Sequence, residues 1–164
     1  MGQALGPFTG EFSSCRTHRG DVIDLFEPGV PSLLVFVPAA FTPVCGGELD
    51  ELVALTEQSR DLGVRMLIVS CDTPATLRAW LDDVDRDHGL IGISDHWPHG
   101  QIARAFTAFD EALGTATRHS FAITAAGEVH KVAHSSPGQP RSAADHRRAL
   151  FTAAGTAAST RPVA

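Results

Sequence analysis

Two short apolar runs on either side of an amphipathic segment limit what this chain can fold into. The runs LLVFV at 33–37 and VRMLIVS at 64–70 have the length and composition of strands that are buried on both faces. Between them, residues 43–60 carry apolar side chains at helical spacing, with Thr42 as the predicted N-cap and Pro43 at the first helical position. Strand, helix and strand in this order predict a βαβ crossover.

The same patterns predict the remaining elements. They are a helix capped by Thr73 and ended by His88 and Gly89, a short helix at 99–106, hairpin strands at 121–124 and 129–133, and a last helix capped by Ser142. The stretch 90–98 is interpreted as too short and broken for a long element. This order predicts an α/β fold of thioredoxin-like outline, built as a single domain over 1–164 with a frayed tail from about 156.

Composition narrows the possible functions. Hydrophobic residues make up 43% of the 164 residues, which is enough for one core. A net charge of -6 argues against nucleic acid or anionic membranes as partners. Because no apolar run approaches the roughly 18 residues of a membrane span and no secretory signal is recognisable, we expect a cytoplasmic protein.

Cys45 is the residue that most strongly suggests chemistry. It lies in the first turn of the helix that follows the first buried strand, where unpaired backbone N–H groups and the helix dipole favour a thiolate. A free cysteine is often a small core residue, but Cys45 is followed by two glycines and lies off the apolar stripe of its helix. A dithiol exchange motif would need a second cysteine at position 48, which is Glu48. The pattern therefore indicates a single activated nucleophile.

The motif Pro38-x-x-x-Thr42-x-x-Cys45 resembles the active-site signature of the peroxiredoxins. The segments GELD at 47–50, SDHWPHG at 94–100 and TRHSF at 117–121 are most similar to the AhpE-type one-cysteine peroxiredoxins of actinobacteria. The resemblance runs from about 33 to about 153. It implies a thioredoxin-like fold with peroxiredoxin insertions, in which helices flank a central mixed sheet.

The resemblance also implies a role for each matching residue. Cys45 becomes the peroxidatic cysteine, Thr42 positions the peroxide, Pro38 shields the site from water, and Arg118 completes the pocket. Glu48 occupies the position of a family carboxylate that contacts this arginine. Hydrogen-bond donors aimed at the peroxide oxygens stabilise charge that moves from sulfur to oxygen, and Thr42, the Cys45 backbone N–H and Arg118 are the predicted donors.

The other cysteines and the histidines leave alternatives open. Cys71 follows the second buried strand at the sheet edge that also carries Cys45, and Cys15 lies in an amino-terminal segment without the usual family pattern; either is a possible resolving thiol. The default prediction is a one-cysteine cycle. His96 and His99 have a ligand-like spacing, but Pro98 between them and the lack of a third ligand argue against a metal site.

The leading hypothesis is an enzyme, a thiol-dependent peroxidase that reduces hydrogen peroxide, organic hydroperoxides or peroxynitrite through a sulfenic acid at Cys45. No bound cofactor is expected. The resemblance implies an external reductant, either mycothiol with a mycoredoxin or thioredoxin, and a homodimer. The alternative hypothesis is a redox sensor or recruited pathway protein that uses the same cysteine without turnover.

Overall fold

The computed structural model describes residues 4–5 and 12–156. Its strands are β1 (Ala4–Leu5), β2 (Cys15–Arg16), β3 (Val22–Ile23), β4 (Ser32–Phe36), β5 (Arg65–Ser70), β6 (Leu90–Ser94), β7 (Phe109–Asp110), β8 (Thr115–Ala116), β9 (His119–Ile123) and β10 (Val129–His134). Its helices are α1 (Pro43–Val53), α2 (Thr56–Leu62), α3 (Pro74–Val84), α4 (Gln101–Ala105) and α5 (Ala143–Ala154). The predicted tail beyond 156 lies outside the described residues.

The main sheet combines parallel and antiparallel strands in the order β1-β10-β9-β4-β5-β6. Strands β4, β5 and β6 run parallel, and β9 pairs antiparallel with β4 on the other side. The predicted βαβ crossover is confirmed by the parallel pairing of β4 with β5, and the predicted hairpin by the pairing of β9 with β10. The α/β class and the thioredoxin-like outline are therefore confirmed.

Alternating side chains of the central strands build a separate core on each face of the sheet. Leu33 and Val35 of β4 pack with α1, α3 and α5 on one face. Leu34 and Phe36 pack on the opposite face with α4, β2 and an aromatic cluster that includes Phe106. Cys45 belongs to the first core and Cys15 to the second, so the sheet lies between them.

Two predicted boundaries were wrong, and one strand was missed. The helix expected over 43–60 is split into α1 and α2, because Leu55 donates its backbone N–H to the Leu52 carbonyl in a tighter turn. Helix α3 ends at Val84 rather than at His88, since the Asp85 carboxylate accepts the N–H groups of Gly89 and Leu90. The stretch 90–98 contains β6, which is stabilised by its pairing with β5. The sequence interpretation missed this strand because such pairing is not visible in the local sequence.

Two small hairpins were also missed. β2 pairs with β3 in the amino-terminal part, and β7 pairs with β8 just before β9. Each strand contains two residues, which is too short to show a periodicity in the sequence. The second hairpin forms part of the cavity described below. The single domain over 1–164 stays a prediction.

Candidate active site

The end of β4 and the start of β9 place the predicted site residues side by side. The β4–β9 register pairs Val35 with Ser120, and two further residues along each strand bring Val37 level with Arg118. The chain then turns through 38–42 into α1, which carries Cys45 in its first turn. The structure therefore brings Cys45, Thr42, Pro38, Glu48 and Arg118 together, although the first and last of them, Pro38 and Arg118, lie 80 positions apart in the sequence.

Thr42 occupies the N-cap position of α1, but its side chain does not cap the helix. The residue is extended, with φ of -93° and ψ of 148°, and makes no capping hydrogen bond. Its hydroxyl instead donates to the Ala39 carbonyl at 3.1 Å. The prediction that the Thr42 side chain caps the helix was therefore wrong, because its hydroxyl hydrogen is used within the preceding turn. The role of Thr42 toward the peroxide stays a prediction.

The Cys45 sulfur is fully buried and receives a hydrogen bond from Arg118. The Arg118 Nη2 atom lies 3.2 Å from the Cys45 Sγ atom. This contact puts the positive charge of Arg118 against the sulfur, and Cys45 lies in the first turn of α1, where backbone N–H groups lack partners within the helix. The Arg118 Nη1 atom donates to Glu48 Oε1, and its Nε atom donates to the Pro137 carbonyl at 2.9 Å. Three acceptors therefore fix the direction of the Arg118 plane.

Glu48 is shared by two buried arginines, one of which the sequence interpretation missed. Arg141, from the loop before α5, donates its backbone N–H and its Nε to Glu48 Oε2 at 2.7 and 2.8 Å, and its Nη2 to Oε1 at 3.0 Å. It also donates to the His119 carbonyl and the Ser120 hydroxyl. Arg141 thus holds Glu48 in place, and Glu48 in turn holds Arg118.

The two arginines keep Glu48 ionised. Burial on its own would raise the pKa of the Glu48 carboxyl, but the hydrogen bonds and charge of Arg141 and the charge of Arg118 outweigh burial and lower the pKa below its ordinary value. Below this cluster, His146 shares a hydrogen bond of 2.8 Å with the Ser120 hydroxyl. Burial and the charge of Arg141 lower the pKa of His146 to about 4, so this imidazole is neutral near pH 7.

A cavity of about 270 Å³ opens beside these residues. Its polar lining residues are Thr42, Asp110, Thr115, Thr117 and Arg118, and Pro38 lies in its wall. The remaining lining residues are apolar: Pro43, Val44, Leu113, Ala116 and Pro137. Because Cys45 has no exposed surface, a peroxide that enters the cavity meets Thr42 and Arg118 first. The arrangement can therefore orient a small polar group and accommodate an apolar chain behind it.

The two candidate resolving thiols are buried, and neither lines this cavity. No disulfide links the three cysteines. Burial, with a smaller contribution from the charge of Asp95, raises the pKa of both Cys15 and Cys71 to about 11. Cys71 accepts a hydrogen bond from the backbone of Ala116, which lies in the cavity wall. Both thiols are therefore poor nucleophiles in this conformation, and a resolving role for either stays a prediction.

Neither a metal centre nor a membrane-spanning helix is found in the part of the chain that the structure describes. Among residues 12–156, no three His, Cys, Asp or Glu side chains are grouped closely enough to hold a metal ion. The His99 ring instead hydrogen-bonds the Gly114 carbonyl at 2.7 Å. None of the described helices combines the length and apolarity needed to cross a bilayer. The expectations of a metal-free and cytoplasmic protein stay predictions.

Sequence relatives agree with this geometry. The AhpC/TSA family matches residues 9–132. Alkyl hydroperoxide reductase E of Mycobacterium tuberculosis and Mycobacterium bovis is 34% identical over 109 residues, which cover 66% of this chain and 70% of that protein. Alkyl hydroperoxide reductase C of Staphylococcus aureus is 34% identical over 124 residues, 75% of this chain and 66% of that protein. The match begins at residue 9, earlier than the expected start near 33.

Solved structures share the fold. The Enterococcus faecalis AhpC crystal structure has a TM-score of 0.75 at 28% identity and covers 92% of this chain and 90% of that one. Peroxidoxin BcpB from Mycobacterium tuberculosis has a TM-score of 0.75 at 21% identity and covers 94% and 99% of the two chains, a likeness of fold alone. With the family match and the site geometry, these relatives show that the chain belongs to the AhpC/TSA family of peroxiredoxins.

Proposed function

We propose that this protein is a thiol-dependent peroxidase in which Cys45 reduces alkyl hydroperoxides and hydrogen peroxide. The main support is the hydrogen bond of 3.2 Å from Arg118 to the Cys45 sulfur, made by an arginine that also donates to Glu48 and to the Pro137 carbonyl. The named relatives are alkyl hydroperoxide reductases. The mostly apolar lining of the cavity suits an alkyl group on the peroxide.

The chemical steps follow from the groups present. The Cys45 thiolate attacks the terminal peroxide oxygen, the O–O bond breaks, and sulfur is oxidised to a sulfenic acid while the departing alkoxide takes a proton from water. Arg118 is placed to stabilise charge that leaves sulfur and develops on oxygen. A reductant thiol then displaces water from the sulfenic acid to form a mixed disulfide. A second thiol releases Cys45 and carries away the disulfide.

The reductant and the assembly belong to the same proposal. We infer an external thiol, mycothiol with a mycoredoxin or thioredoxin, because Cys15 and Cys71 are buried and carry raised pKa values. A cytoplasmic homodimer fits the same cycle. Its proposed contact surface includes Phe41 and Trp97, whose side chains are 59% and 84% exposed. The sensor alternative has no specific support from the described residues.

Turnover distinguishes the enzyme from the sensor. The parent protein, supplied with peroxide and either reducing system, should consume many equivalents of peroxide per chain. Cys45→Ser should consume none, because its hydroxyl is close in size to the thiol but stays protonated. The circular dichroism spectrum checks that the variant folds. Consumption that stops at one equivalent in the parent would support the sensor, and turnover by Cys45→Ser would overturn the role of Cys45.

A further inference from the structure

The turn that carries Thr42 is held by a carboxylate from the neighbouring strand end. Asp72 follows β5, and its Oδ2 atom accepts the backbone N–H of Ala40 at 2.8 Å. Ala40 lies between the end of β4 and the start of α1, within the segment 37–42 that leads to Cys45. Asp72 is half-buried and belongs to none of the groups that the mechanism has used so far. Its side chain therefore connects the β5 edge to the active-site turn.

The peptide group that Asp72 holds is also the one that orients Thr42. The Ala40 N–H and the Ala39 carbonyl belong to one planar unit, so fixing one end fixes the direction of the other. The Ala39 carbonyl accepts the Thr42 hydroxyl hydrogen at 3.1 Å. A hydroxyl has one hydrogen and two lone pairs. Once its hydrogen is given to Ala39, Thr42 has its lone pairs left to accept the O–H of a peroxide in the cavity that it lines.

The turn needs such an anchor because part of its backbone is strained. Phe41 has a φ of 62°, a left-handed conformation that is unfavourable for a non-glycine residue. The Phe41 ring is more than half exposed and contacts Trp80 at a centroid distance of 6.4 Å. Within one chain, a ring so exposed provides limited support. The Asp72 hydrogen bond lies directly before Phe41 and supplies a second point of attachment.

Asp72 is itself rigidly placed. The Ser70 hydroxyl donates to the same Oδ2 atom at 2.7 Å, and the Asp72 backbone N–H donates back to that hydroxyl at 3.2 Å. The Ser94 hydroxyl, at the end of β6, donates to the Asp72 carbonyl at 2.7 Å. These bonds attach Asp72 to the ends of two paired strands. The sheet edge, rather than the turn, therefore sets the position of the carboxylate.

We propose that Asp72 is a positioning residue for peroxide reduction, acting through the Ala39–Ala40 peptide on the direction of the Thr42 hydroxyl. The inference rests on the proposed peroxidase function. According to this proposal, a residue at the end of β5 helps to align the peroxide, although Asp72 does not touch the substrate. A displacement near the reacting atoms has large effects on rate, so we expect Asp72→Ala to slow the oxidation of Cys45 by about 10- to 100-fold.

A double-mutant cycle with Thr42→Val tests whether Asp72 acts through Thr42. Stopped-flow oxidation by hydrogen peroxide measures the second-order rate constant at Cys45. Asp72→Ala should slow the parent by about 10- to 100-fold but slow Thr42→Val by less than about threefold, since the hydroxyl is already absent. Asp72→Asn keeps an acceptor oxygen for Ala40 and should react within about threefold of the parent. Asp83→Ala, which removes an exposed acid from α3, is the matched control.

A second reaction separates positioning from general damage. Iodoacetamide alkylates Cys45 without using peroxide geometry, so its rate should change by less than about twofold in Asp72→Ala. Equal losses in both reactions, or equal effects of Asp72→Ala in the two Thr42 backgrounds, would overturn the inference. If Asp72→Ala does not fold, Asp72→Glu, which shifts the carboxylate by one methylene, takes its place in the cycle with the same expected result. A parent no faster than Cys45→Ser would instead refute the proposed function.

Discussion

Replacing Glu48 by Gln tests the buried charge cluster behind Cys45. The exchange keeps the side-chain size, removes the charge and turns one oxygen into an amide nitrogen. Each Glu48 oxygen accepts two hydrogen bonds, from Arg118 and Arg141 at Oε1 and from Arg141 alone at Oε2. Whichever way the amide points, two donors face a nitrogen that cannot accept. Breaking a buried ion pair by removing one partner costs about 3–5 kcal/mol, which we expect as the loss in the free energy of unfolding.

Urea unfolding at neutral pH measures this loss. With a slope of about 1–3 kcal/mol per molar urea, a loss of about 3 kcal/mol lowers the midpoint by about 1–3 M. Glu51→Gln makes the same exchange at an exposed position of α1 and should change stability by less than about 0.5 kcal/mol. A Glu48→Gln protein as stable as Glu51→Gln would refute the reasoning, because the cluster would then contribute nothing net to folding.

The pH dependence supplies an independent check with a defined sign. The pKa of Glu48 is lower in the folded protein than in the unfolded chain, so the stabilisation is complete above the unfolded value of about 4.3 and is lost as pH falls through the folded value. The stability gap between the parent and Glu48→Gln should therefore narrow below about pH 4. A gap that stays constant at lower pH would mean that the Glu48 charge is not what the arginines stabilise.

Other substitutions test the remaining site residues. Arg118→Lys keeps one charge but loses the planar guanidinium that reaches three acceptors. Cys45 oxidation should therefore slow by about 10²–10³ fold, even at high pH where the rate no longer changes with pH. Equal high-pH rates for the two proteins in stopped flow would show that Arg118 has no direct role in the oxidation step. Cys15→Ser and Cys71→Ser should each keep both oxidation and regeneration by external thiol, and loss of regeneration alone would identify a resolving thiol. Asp110 lines the cavity, so its carboxylate should repel a hydroperoxide that carries a carboxylate. Asp110→Asn should therefore raise the ratio of the oxidation rate with this hydroperoxide to the rate with a neutral one of equal length by about threefold. An unchanged ratio of the two rates would contradict this.

The sheet and the nucleophile could be predicted because their signals are local. Strand β4 and the start of α1 are determined by an apolar run, a proline and a helical repeat within about 20 residues. Strand β6 gave no comparable signal. It is five residues long and contains Gly92, whose N–H donates to His18 at 3.0 Å, so its conformation depends on neighbours distant in sequence.

Arg141 was missed because its contact with Glu48 joins residues that are distant in the sequence. Glu48 lies three residues after Cys45 and therefore on the same helical face, but the sequence interpretation did not predict that its side chain is buried. In the structure its carboxylate is almost fully buried, and a buried carboxylate needs close cations. The chain has twelve arginines, and the one that answers the requirement lies 93 positions away in a loop. Tertiary structure alone selects it.

In the proposed cycle, the charges of the cluster favour the attack of a reducing thiol on oxidised Cys45. Arg118 and Arg141 contribute two positive charges and Glu48 contributes one negative charge, and the thiolate of the proposed mechanism adds a second negative charge at Cys45. In that mechanism, conversion of the thiolate to a sulfenic acid removes one negative charge and leaves the cluster with a net positive charge in low-dielectric surroundings. A net positive charge beside the cavity favours an incoming thiolate over a neutral thiol. We therefore propose that Arg118, which stabilises the first attack, also attracts the reductant for the second.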